Sequence, residues 1–96
     1  MFSDKIREGI NKLVASYRDQ ESPTYNVSGI EYFIHPSNPT IPFVQIHVSG
    51  MDGSRGYVDE KLMYIFDLKG DSNRLKMPLN GKLVFFSELK KIKYEQ

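Results

Sequence analysis

The chain of 96 residues contains no cysteine and no tryptophan. Without cysteine there is no disulfide framework, no thiolate nucleophile and no Cys-ligated zinc. Long apolar runs are missing too. The longest, Leu62-Met63-Tyr64-Ile65-Phe66, falls far short of the roughly 20 residues a membrane span needs. The opening Met1-Phe2-Ser3-Asp4-Lys5 lacks the apolar centre of a signal peptide. Charge of one sign is also absent: 13 basic residues face 12 acidic ones, a net of +1. Such a balance exerts little long-range pull on nucleic acid or acidic lipid. These absences predict a cytoplasmic protein that makes no contact with a membrane. Its length and 40% hydrophobic content suit one small domain over 1–96, with a core that needs no staples.

What is present begins with a helix. Ile6, Ile10, Leu13, Val14 and Tyr17 follow a 3.6-residue period, while Lys5, Arg7, Glu8, Asn11, Lys12, Arg18 and Asp19 take the other side. Ser3 can accept a bond from a first-turn amide, and Pro23 disfavours helix at Ser22. The spacing predicts a helix over about 3–20. Gly9 inside it costs about 1 kcal/mol relative to Ala.

Beyond Pro23 the period becomes two. Ile30, Tyr32 and Ile34, then Val44, Ile46 and Val48, then Leu62, Tyr64, Phe66 and Leu68 alternate with their neighbours, as do Leu75, Met77 and Leu79. Lys82-Leu83-Val84-Phe85-Phe86 is a further run of strand-forming residues between charged flanks. Loops are expected at 36–42, 50–56 and 69–73. Asn80-Gly81 signals a tight hairpin between about 74–79 and 82–87. Residues 59–68 also fit helical spacing, with a strand favoured. Residues 87–94 read as a short helix capped by Ser87 or as a continuing strand, the helix slightly favoured. The expected fold is α+β: one helix on a four- to five-stranded antiparallel meander, with that short C-terminal helix as an addition. The loops 36–42 and 69–73 then share one end of the sheet. The other end holds 50–56, 80–81 and the link at 21–25.

One helix covers one face of such a sheet. With Ile30, Tyr32, Ile34, Val44, Ile46, Val48, Leu75, Met77 and Leu79 beneath the helix, the opposite face carries Glu31, His35, Gln45, His47, Arg74 and Lys76. It also carries Phe33 and Phe43, and each exposed Phe forgoes roughly 1.5–3 kcal/mol of burial. Either the chain folds over this second face, or a second copy or another protein covers it.

Catalytic signals are sparse. Ser49, Ser54 and Ser72 sit in no nucleophile-elbow pattern, and Asp59 and Glu60 would point to opposite faces of a strand. His35 and His47 would need a third ligand such as Asp52 or Glu31 to hold a metal. The Gly50–Gly56 loop has three glycines and Arg55, without a phosphate-loop lysine. No catalytic residue, metal or cofactor is therefore expected. From Lys69 onward seven basic residues outnumber three acidic ones.

Helix followed by meander resembles the cystatin architecture, although Gln45-Ile46-His47-Val48-Ser49-Gly50 is one residue longer than its Gln-x-Val-x-Gly hairpin. Asn38-Pro39-Thr40 resembles a loop of the chagasin-like inhibitors, whose Arg-Pro-Trp motif is absent from this tryptophan-free chain. Neither resemblance carries a family assignment.

The leading expectation is a non-enzymatic protein-interaction domain, dimeric, of the inhibitor, adaptor or immunity type that phages and mobile elements encode. Its contact residues would be Phe33, Phe43, Ile65, Phe86, Asn38, Arg55 and Tyr57. The alternative is a nucleic-acid-binding domain using Arg74, Lys76, Lys90, Lys91 and Lys93 beside aromatic rings.

Overall fold

The computed structural model describes residues 2–76 and 85–94. Helix α1 spans Asp4–Arg18, with the Ser3 hydroxyl accepting from the Ile6 amide at 3.2 Å. Strands β1 (Tyr25–His35), β2 (Asn38–Met51), β3 (Tyr57–Phe66), β4 (Ser72–Arg74) and β5 (Lys90–Ile92) follow. A single 3-10 turn at Gly53–Arg55 lies between β2 and β3. All pairings are antiparallel and the sheet order is β4-β3-β2-β1-β5. This is the expected α+β fold. No helix among the described residues is long and apolar enough to cross a membrane.

The helix stripe does what its period implies. Ile6, Ile10 and Val14 are buried against Val27, Ile34, Val44, Ile46, Val48, Leu62 and Phe66, with Leu13, Tyr17, Ile30, Tyr32 and Tyr64 at the margin. Residues 59–68 are strand through Phe66, and Leu62, Tyr64 and Phe66 are the set that faces the helix. Gly9 has a structural use that outweighs its helix cost. A Cβ there would lie 2.0 Å from the carbonyl oxygen of Gly70, which itself adopts φ 85° against the Lys5 carbonyl. Two glycines thus let the β3–β4 turn press on the helix backbone.

Four expectations need correction. Residues 36–42 are not one loop, because β2 starts at Asn38 directly after a turn at Pro36-Ser37. The register jumps from Ile34↔Pro42 to His35↔Asn38, so Pro39, Thr40 and Ile41 bulge out where a proline ring breaks no ladder. The short C-terminal helix is present but ends at Ser87 instead of starting there, and within 87–94 the strand alternative holds: Lys90–Ile92 form β5, returning to the far side of β1 and ending the simple meander. Phe85, Phe86 and Ser87 are helical rather than strand. The strand expected at 74–79 begins earlier, at Ser72, and reaches Arg74. The Asn80-Gly81 hairpin, Met77, Leu79 and Lys82–Val84 lie outside the described residues.

Candidate functional site: the second face of the sheet

Alternation places Phe33, Phe43, Gln45, His47, Met63, Ile65, Asp59 and Tyr57 on the face away from α1. The pairs Phe33↔Phe43↔Ile65, Gln45↔Met63, Ser49↔Asp59 and Met51↔Tyr57 run across it. The two halves of this face differ. Near the β1–β2 turn, Phe43 is 4% exposed and Met63 5%, yet neither belongs to the cluster under α1. The cover on Phe43 comes in part from the C-terminal segment, with Phe85 meeting it edge to face at a centroid distance of 5.5 Å. The chain itself therefore closes this half.

The other half is polar and then open. His47 Nε2 donates to Asp59 Oδ1 at 2.6 Å, and Lys91 Nζ lies 2.6 Å from Glu31 Oε2. The Lys91 ammonium holds the Glu31 carboxyl below its ordinary range, against a smaller opposing effect of desolvation. At the far end stand Met51 and Tyr57, paired across β2 and β3 and 52% and 70% exposed. The hairpin beneath them is braced. Arg55 donates to Asp52 through Nε at 2.9 Å and also through its terminal nitrogen, and reaches Glu60 at 2.6 Å. These two carboxylates raise the Arg55 pKa further above its ordinary value. The Met51 amide donates to the Thr24 carbonyl at 2.7 Å, tying the hairpin to the start of β1.

The sequence-derived contact residues do not form one surface. Phe33 and Ile65 are half-buried beside the covered Phe43, with half-buried Phe86 next to the capping Phe85. Asn38 stands at one end of the sheet, on the order of 30 Å from Arg55 and Tyr57 by strand rise. The basic residues divide as well. Arg74 sits on β4 and Lys90 and Lys91 on β5, at opposite edges of the sheet, about 19 Å apart at the usual strand spacing. Lys76 follows β4 and Lys93 follows β5. Lys91 is engaged by Glu31, so among the described residues Arg74, Lys76, Lys90, Lys91 and Lys93 form no continuous basic track across the sheet.

The histidines are separated too, by about 20 Å of strand, each with its own carboxylate. Among the described residues no three His, Asp or Glu converge as metal ligands. His35 has a pair of partners that sequence spacing hid. Its Nε2 lies 3.1 Å from Glu88 Oε2, and its Nδ1 is 2.6 Å from Ser37 Oγ and 3.1 Å from the Ser37 amide nitrogen. Fifty-three positions separate His35 from Glu88. Only the return of the C-terminal segment brings them together; the short spacing from His35 to Ser37 was the one legible part.

No protein-family model matches this chain, and neither a curated protein nor a solved structure matches it at a significant level.

Proposed function

We propose that this domain acts by binding another protein in the cytoplasm, as an inhibitor or adaptor, through the Met51–Tyr57 end of the sheet's second face. One observation carries the reading: a large aromatic and a methionine stand side by side in water on a hairpin braced by the Arg55 contacts to Asp52 and Glu60. Tyrosine supplies broad contact area at the cost of two side-chain torsions, and it is enriched among residues that dominate binding energy. Methionine adapts to irregular partner surfaces. The neighbouring His47–Asp59 pair supplies the polar rim that interfaces usually carry.

A photo-activated cross-linking residue at position 57 tests this in cells, with the same residue at the exposed Lys12 of α1 as control. A discrete adduct from position 57 alone is expected, and Met51→Ser should weaken it. If the adduct is a second copy of this chain, light scattering should give a dimer mass that falls to the monomer in Tyr57→Ser. No adduct at 57, or the same pattern at 57 and 12, overturns the reading.

A further inference from the structure

The Ser37–His35–Glu88 cluster lies at the opposite end of the sheet from Tyr57. Its proton positions follow from one bond. The Ser37 backbone N–H can only donate, so the His35 Nδ1 that it meets at 3.1 Å must be the lone-pair nitrogen. The ring proton therefore sits on Nε2 and is donated to Glu88 Oε2 at 3.1 Å. The Ser37 hydroxyl, 2.6 Å from that same Nδ1, shares this single lone pair with the amide as its acceptor. Hydroxyl, imidazole base and carboxylate are thus joined in the order that nucleophilic catalysis requires. Such a set is recognised by roles and geometry rather than by sequence position. The Phe85 ring lies beside the imidazole at a centroid distance of 6.4 Å, tilted by 33°, and screens part of it from water.

We infer that Ser37 is an activated nucleophile for acyl transfer, with His35 as its general base and Glu88 as the positioning residue for His35. The substrate class is an activated carboxylic ester. Ser37 lies in the exposed two-residue turn between β1 and β2, so an acyl group can be presented from solvent or from the surface of a larger molecule. In the first step the Oγ–carbon bond forms while the hydroxyl proton passes to His35 Nδ1. Glu88 stabilises the imidazolium. The carbon–oxygen bond to the leaving group then breaks, with the proton from Nδ1 going to the departing alkoxide. Water, deprotonated by the same Nδ1, hydrolyses the acyl-serine, releasing the carboxylic acid and restoring the hydroxyl.

This chemistry is independent of contact at Tyr57, and the test uses the intact chain with p-nitrophenyl acetate as probe. The expected result is release of p-nitrophenol with an acetyl group located on Ser37 by tandem mass spectrometry. His35→Gln should slow the Ser37 reaction about 100-fold, the lower range for a general base. Glu88→Gln, at an exposed position, should lower kcat about 10-fold at unchanged KM, whereas a loosened fold would change both. Ser37→Ala should abolish the acetyl-serine with the circular dichroism spectrum unchanged. Acetylation confined to lysines, or Ser37 acetylation as fast in His35→Gln or in the urea-unfolded chain as in the native protein, overturns the inference.

Discussion

The two faces of one sheet are closed by different means. Beneath α1 the cover is continuous and apolar: Ile6, Ile10 and Val14 meet Val44, Ile46, Val48, Leu62 and Phe66. On the other side a short helical turn carrying Phe85 seats on Phe43, and the remainder stays polar and ends in exposed Met51 and Tyr57. A helix of 15 residues can shield a whole sheet face, whereas a single turn shields only what its rings reach. The unshielded part is where charge pairs and the exposed Met51 and Tyr57 stand.

Truncation at the two covers gives the largest effect. Ile10→Ala removes a fully buried side chain from the helix-side core and is expected to cost about 3–4 kcal/mol, within the range for buried large-to-small changes. Phe43→Ala on the second face should cost about 3 kcal/mol, and Phe43→Ser should destabilise the chain rather than merely release a partner. Urea unfolding monitored by circular dichroism measures both. If Phe43→Ala leaves stability within about 0.5 kcal/mol, as at ordinary surface positions, the second face is not a core and the comparison fails.

A smaller effect probes the helix side alone. Gly9→Ala would be favourable by about 1 kcal/mol on propensity, but its Cβ falls 2.0 Å from the Gly70 oxygen. Overlap of this kind should destabilise by about 1–3 kcal/mol. Gly29→Ala, whose added Cβ meets nothing within 4 Å, is the control and should change stability by less. An equal loss at both positions would remove the close approach of turn and helix as the explanation.

The smallest effect separates the faces by pH. On the helix side Tyr17, Tyr25 and Tyr32 have raised pKa values, chiefly because burial disfavours phenolate; Tyr17 also shares a 2.5 Å hydroxyl bond with Tyr64. A raised folded pKa means that their stabilising contribution is complete below the ordinary tyrosine value, near pH 10, and is lost as pH rises above it. On the second face the sign is opposite. The lowered Glu31 pKa gives a contribution present above the ordinary glutamate value, near pH 4.3, and lost as pH falls through the lowered folded value. Its side chain is 38% exposed, so this loss should be about 0.2–1 kcal/mol. Unfolding of the native chain and of Lys91→Met across both pH ranges checks this. Lys91→Met should flatten the acid limb and leave the alkaline one unchanged.

The helix-side residues were legible because each belongs to a local pattern. A 3.6 period marked Ile6 to Tyr17, and alternation marked Val44 to Val48 and Ile30 to Ile34, with Ser3 and Pro23 setting the bounds. The second face was legible only in part. Phe33 and Phe43 could be placed on it, but Phe43 was to be covered by Phe85, a residue whose own surroundings in sequence favour a strand. There the apolar surface offered by the sheet prevails over local preference, since strand propensity depends strongly on context. Asn38 and Tyr57 share the second face yet stand at its opposite ends. Arg74 and Lys91 stand at opposite edges and on opposite faces, because Arg74 pairs with the helix-facing Tyr64 and Lys91 with Phe33 of the second face.

By itself the sequence determined the helix, the alternating strands and the absence of thiol chemistry, because each depends on residues a few positions apart or on composition. The tertiary structure decided the return of Lys90–Ile92 to β1, the cover on Phe43 and the meeting of Ser37, His35 and Glu88. These depend on contacts across some 40 to 60 positions of chain. No local period encodes such contacts, and only the balance of burial against the entropy of closing long loops selects them.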